Sequence, residues 1–204
     1  QPDYVVGLAT KLCQRRATVL TTAFAATAAS LGASAVAVGH PVSQRLLEGD
    51  RSRAMQQFHW SSDLPTVLVM GGSLGAQRLN DALVAALPQL LPQMQVIHQT
   101  GAGKLVAGVS EPNYHPVEFL RDELADAYAA ADLVVSRAGA GALAEIAALG
   151  KAAILVPLPD SPQGANAAEF ARLNAAVVLV QPSSDELANA ILGLLGDESR
   201  RLAL

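Results

Sequence analysis

Residues 67–87 read VLVMGGSLGAQRLNDALVAAL. Four apolar residues run into Gly71-Gly72-Ser73, then Gly75, then a helical pattern from Ala76 to Leu90. A short strand turning sharply into a helix explains that order. Glycine accepts backbone angles closed to other residues, and a helix starts with unpaired N–H groups. Missing side chains also let a ligand approach the main chain, and the helix dipole favours an anion there. Ser73 adds a hydroxyl, and Asn80 and Asp81 follow one to two turns along the helix. The stretch has neither the lysine of a GxxxxGK[ST] loop nor the spacing of a GxGxxG site. At this point a diphosphate cradle and a plain turn capped by Ser73 are equal readings.

Outward from this stretch the pattern is regular. Strands are expected at Thr66–Met70, Gln95–Gln99, Tyr114–Glu118, Leu133–Ser136, Ala153–Pro157 and Val177–Val180. Helices are expected at Ala76–Leu90, Asp122–Ala130, Gly141–Ala148, Ala165–Leu173 and Ser184–Leu195. Short apolar strands alternating with helices predict an α/β fold, a Rossmann-like parallel sheet with helices on both faces. Upstream, Thr18–Thr22 and Ala35–Gly39 read as strands around a helix at Ala23–Leu31, and a polar helix falls between Pro41 and Leu64. His40-Pro41 suits a boundary, because proline holds its predecessor extended. Residues 1–41 and 42–204 are therefore expected as separate units. The opening Gln1 and the closing ESRRLAL, which reads as mid-helix, suggest a piece of a longer chain.

A second glycine turn, SRAGAGALAEI (136–146), also follows a strand. Two such turns put two helix starts at one end of the sheet, the end where open α/β sheets bind ligands. The main chain of the two turns, Gly71 and Gly72 in the first, would then face a shared anion. Glu145 sits where a carboxylate reaches ligand hydroxyls such as a ribose diol, or is simply an exposed early-helix glutamate. Arg137 either faces an anion or pairs with Asp132 or a surface carboxylate. A third feature, PLPDSPQGANA (157–167), leaves a strand and enters a helix. Gln163 and Asn166 share a helical face there if the helix starts early, and both suit sugar hydroxyls or ordinary capping.

Composition excludes several classes. The chain has 204 residues, 51% hydrophobic and 16% charged, with net charge −4 and no basic block, which argues against a nucleic-acid partner. Cys13 is the only cysteine, so no internal disulfide forms. No apolar run reaches the roughly 18 residues of a membrane span. No HExxH or cysteine cluster signals a metal, and no GxSxG elbow signals a hydrolase. His98, at the end of an apolar strand, reads as a satisfied core group.

Three segments together, MGGSLGAQRLN, SRAGAGALAEIAALGKAAILVPLPDS and PQGANA, resemble the carboxyl-terminal half of the MurG family of bacterial peptidoglycan glycosyltransferases. QPDYVVGLATKL and VGHPVSQRLL extend the resemblance over nearly the whole chain. It implies the GT-B arrangement of two Rossmann-like domains. Residues 1–41 would be the tail of the N-terminal acceptor domain, and 42–204 the C-terminal UDP-sugar-binding domain, truncated at its end. It also implies an inverting transfer of N-acetylglucosamine from UDP-N-acetylglucosamine to the 4-hydroxyl of the muramoyl sugar of lipid I, forming lipid II. Ser73 would lie at the diphosphate, and the Leu120 backbone at the uracil. The 140–145 helix start would lie under the nucleotide, with Glu145 on the ribose and Gln163 on the sugar hydroxyls. No cofactor or metal is implied, and no general base is assigned. The lipid acceptor would be met mainly through the other domain, with the complete protein peripheral on the cytoplasmic side of the membrane. Pro2, His40 and Ser43 depart from the family pattern, Ser43 replacing an arginine associated with the donor. Alternatives are a related transferase for another UDP-sugar or lipid acceptor, and a non-catalytic nucleotide-binding or structural module.

Overall fold

The computed structural model describes residues 1–61, 63–72, 76–105 and 111–204. Six strands build the main sheet: β3 (Thr66–Met70), β4 (Gln95–Gln99), β5 (Tyr114–Val117), β6 (Leu133–Ser136), β7 (Ala153–Leu155) and β8 (Val177–Val178). All pairings are parallel, in the order β5-β4-β3-β6-β7-β8. The chain winds outward from β3 to one side, then returns to β6 and winds outward to the other. The reversal between β3 and β6 is the place where such sheets leave a crevice.

Strand periodicity splits the core in two. Every residue of β3, β4 and β6 is buried, and successive side chains point to opposite faces. Leu68, Met70, Ile97 and Val134 pack with Met55 and Phe58 of α3 (Arg51–Phe58), Tyr128 of α5 (Leu124–Ala130) and Ile146 of α6 (Ala140–Ala148). Val67, Val69, Val96 and Val135 pack instead with Leu83 and Leu87 of α4 (Gln77–Leu90) and Leu187 and Ile191 of α8 (Ser184–Gly196). Burial on both faces explains why these strands are continuous apolar runs. Ser183 starts α8 with a capping box, taking the Glu186 N–H while the Glu186 carboxylate accepts from the Ser183 N–H.

Residues before Pro41 form a smaller unit. Here β1 (Leu20–Thr22) and β2 (Ala35–Ala37) make a separate parallel pair bridged by α2 (Ala25–Leu31), after a short α1 (Leu8–Cys13). Both strands are shorter than expected. The unit meets the large sheet's helices through the Tyr4 N–H, which donates to the Asn166 side chain at 2.7 Å, and through Asp3, which accepts from the Asn166 amide. At the other end, Gly196 closes α8. Asp197 then caps a new helix, α9 (Glu198–Ala203), by accepting from the Arg200 N–H. The ESRRLAL segment thus belongs to a new helix started by that cap rather than continuing α8.

Candidate functional site

A cleft of about 500 Å³ opens at the carboxyl ends of β3 and β6. Its floor is Met70, Gly71 and Gly72 from the first turn and Ser136 and Arg137 from the second. One wall is Phe119, Leu120 and Leu124 around the start of α5, and the facing wall is Leu158 with Gln163. Gly141, Ala142 and Glu145 of α6 complete it. The volume suits a ligand of nucleotide size. A groove of about 480 Å³ at the other end of α4, lined by Val84, Leu87 and Pro112, lies away from these helix starts.

The first turn is described as far as Gly72, whose φ of 80° is open to glycine and strained for other residues. Ser73 and Gly75 lie outside the described residues. Past them, Asn80 is buried: its amide donates to the Thr100 carbonyl at 2.9 Å, and its oxygen faces His98 Nε2 at 3.1 Å. Asn80 is therefore a support of α4. His98 completes the network through Nδ1 and the Tyr114 hydroxyl, 2.8 Å apart. The Asn80 oxygen only accepts, so Nε2 carries the proton and Nδ1 accepts from Tyr114. Burial lowers the His98 pKa to about 4 and pushes Tyr114 up to about 12. The reading of His98 as a satisfied core group holds.

The second turn presents α6 with Gly139 as its N-cap residue and no side chain capping it, so the first N–H groups of the helix are left for solvent or a ligand. The 140–145 stretch divides by helical face. Gly141, Ala142 and Glu145 line the cleft, whereas the Leu143 side chain is in the core. Ala140 and Ala144 line a separate crevice with Pro2, Phe24 and His40. Their side chains turn away from the cleft because neighbours on a helix lie about 100° apart.

Glu145 is the carboxylate of the cleft. Tyr128, fully buried in α5, donates its hydroxyl to Glu145 Oε2 at 2.9 Å. Burial, with the Glu145 charge added, pushes the Tyr128 pKa far up, so the hydroxyl stays protonated. Arg137 donates from Nη1 to the carbonyls of Val156 and Pro157 at 3.0 and 3.2 Å. It does not pair with Asp132, which accepts instead from Arg51 and the Thr66 N–H beyond the other end of β6. Burial lowers the Arg137 pKa, and the guanidinium has further N–H donors on Nη2 and Nε beyond the Nη1 bonds.

The remaining expected residues separate. The helix α7 (Gln163–Arg172) starts early, as the three-residue spacing requires. Gln163 lines the cleft with its oxygen already accepting from the Leu158 N–H at 3.0 Å, so its NH₂ is what it offers. Asn166 corrects the expectation of a shared ligand face. It is fully buried, and its two amide hydrogens go to Asp3 and to the Ala138 carbonyl. Ser43 also departs from expectation. It is exposed before the 3₁₀ turn Gln44–Glu48 and does not line the cleft.

Two participants escaped the sequence reading. Gln99 lines the cleft and accepts the Leu120 N–H on its side-chain oxygen at 2.9 Å, so that N–H is spent within the fold. Its position as the last residue of β4, beside β3 at the ligand end, was the available signal. Tyr128 had none, because nothing in the spacing pairs it with Glu145. Among the described residues, no group of three or more His, Cys, Asp or Glu is placed to hold a metal ion.

A doubly wound parallel sheet with its cleft at the switch point, floored by glycine turns, is the α/β architecture of the carboxyl-terminal domain of GT-B glycosyltransferases. Residues 66–203 match the glycosyltransferase family 28 C-terminal domain, and the chain belongs to that family. A UDP-N-acetylglucosamine–N-acetylmuramyl-(pentapeptide) pyrophosphoryl-undecaprenol N-acetylglucosamine transferase of Lachnospira eligens is 35% identical over 97% of this chain and 58% of its own length. The Legionella pneumophila (strain Lens) protein of the same name is 41% identical over 80% of this chain and 46% of its own. The crystal structure of Acinetobacter baumannii MurG superposes with a TM-score of 0.74 and 28% identity, over 99% of this chain and 58% of that one. The chain thus spans about half the length of the curated relatives it matches.

Proposed function

We propose that this chain supplies the donor site of an inverting glycosyltransferase. The enzyme would move N-acetylglucosamine from UDP-N-acetylglucosamine to the 4-hydroxyl of the muramoyl sugar of lipid I, forming lipid II. The observation that carries this is the cleft itself: an uncapped helix start and an anchored carboxylate, Glu145, meet at the switch point. The names of the 35–41% identical relatives supply the sugar and the acceptor.

In this reading residues 42–204 are the donor domain and 1–41 the tail of the acceptor domain. The diphosphate lies over the two glycine turns, with Ser73, Gly72 and the N–H groups of Gly141 and Ala142 around it. Glu145 accepts from the ribose diol, the Leu120 carbonyl accepts from uracil N3–H, and Gln163 donates to the sugar. Arg137 adds positive charge near the phosphates. As the glycosidic bond breaks, the leaving UDP gains negative charge. Fixed main-chain dipoles stabilise such charge without reorganising. The base for the acceptor hydroxyl belongs to the other domain. The complete protein would work as a peripheral protein at the cytoplasmic face of the membrane; among the described residues no helix is long and apolar enough to cross one.

Calorimetry of the 204-residue chain with UDP and UDP-N-acetylglucosamine tests the reading. Both should bind. Undetectable binding of both at millimolar nucleotide by folded protein overturns the donor-site assignment. Replacing Glu145 by alanine should weaken UDP by at least about tenfold, since hydrogen bonds to charged groups contribute roughly 1.5–3 kcal/mol. Free pyrophosphate should be nearly unaffected, and equal losses would refute the ribose role.

A further inference from the structure

We infer that Tyr128 is the positioning residue for ribose recognition, an inference that rests on reading Glu145 as the ribose carboxylate. The hydroxyl of this fully buried tyrosine lies 2.9 Å from Glu145 Oε2. An ionised carboxylate only accepts, so the direction is set: tyrosine donates, glutamate receives. The bond takes one of the two lone pairs of Oε2. Oε1 has no hydrogen bond among the described residues and is not buried, so it is the atom left for a ligand.

The arrangement answers a physical problem. A free glutamate in a cleft samples several rotamers, and a ligand must freeze them on binding. Tyr128 freezes them beforehand. Its ring is held by the packed core beneath α5 and α6, so its hydroxyl is a fixed point. The same helix carries Leu124 on the wall where the base would sit, next to Phe119 and Leu120. Base wall and ribose carboxylate are thereby set by one element, α5, and their spacing is built in before nucleotide arrives.

A merely structural tyrosine would fill core volume and use Glu145 as a convenient acceptor. Ligand dissection separates the two roles. Tyr128→Phe keeps the ring and removes only the donor. In the full 204-residue chain it should weaken UDP about tenfold, the size expected for one lost charge-assisted bond and its ordering. Binding of 2′,3′-dideoxy-UDP, which lacks the diol, should not change. In a Glu145→Ala background, Tyr128→Phe should cost nothing further toward UDP. Equal losses for UDP and the dideoxy analogue would show a packing role and overturn the inference, as would no loss for either. The underlying reading fails differently: the parent protein would then bind UDP and 2′,3′-dideoxy-UDP equally. Glu145→Gln, which keeps the tyrosine contact, should lose affinity for UDP but not for the dideoxy analogue, and equal losses there overturn the underlying reading of Glu145 rather than the role of Tyr128.

Discussion

The helices that follow the two glycine turns are built alike and used differently. Each carries a polar residue tied to a buried tyrosine: Asn80 of α4 reaches Tyr114 through His98, and Glu145 of α6 meets Tyr128 directly. The α4 chain closes on itself, since Asn80 accepts from His98, donates to the Thr100 carbonyl and is shut from solvent. The α6 chain stays open, with a carboxylate oxygen in the cleft. A polar residue just inside a helix start therefore says little by its type. What separates support from site is whether its hydrogen-bonding capacity is used up inside the fold.

The largest effect that would break this contrast is at Gly141. Its φ is ordinary, and a Cβ built there meets nothing within 4 Å. Glycine at this position serves clearance, not backbone conformation. Helical side chains lean toward the helix start, which here is the cleft. Gly141→Leu should therefore abolish UDP binding, measured by calorimetry, with no loss of thermal stability. A variant that binds normally would show that the ligand does not approach α6.

The alternation of apolar runs and helices made the parallel sheet legible, because a strand buried on both faces has to be continuously apolar. The cleft's location followed from two glycine turns sharing one end of the sheet. What stayed hidden depends on rotation and long-range pairing. The side chains of Ala140 and Ala144 face a crevice away from the cleft. Asn166 was drawn inward by Asp3, 163 positions away in sequence, and Gln99 reached Leu120 from a neighbouring strand. Spacing within one element reports neighbours along that element; it carries no signal for a partner brought in by the sheet.

The closed network should reveal itself in acid. With a folded pKa of about 4 against an ordinary 6.5, His98 stays neutral in the fold while the unfolded chain takes up a proton. Stability is full above pH 6.5, falls as pH drops below it, and levels off once pH passes below about 4. The loss is on the order of 3 kcal/mol. Half-buried His115, its pKa also lowered by burial, adds to the same slope. Urea unfolding at steps between pH 7.5 and about 4 should show this decline. A His98→Gln variant, less stable at neutral pH, should show a shallower one. Parallel slopes would mean that His98 does not stay neutral in the fold.

The smallest effect tests the turns with one substitution made twice. Gly72 holds φ at 80° on an exposed turn, and a Cβ there also meets nothing within 4 Å. Space is therefore not the obstacle to a side chain at either position; backbone strain alone distinguishes them. Gly72→Ala should cost about 1 kcal/mol, the order of the left-handed penalty for an L-residue. Gly141→Ala should give a small gain, because alanine loses less entropy than glycine on entering a helix. Opposite signs in parallel urea titrations would show that the first glycine turn is written for conformation and the second for access. If Gly72→Ala stabilised the chain as Gly141→Ala does, the distinction between the two turns would fall, and glycine at position 72 would have to be explained by ligand approach as well.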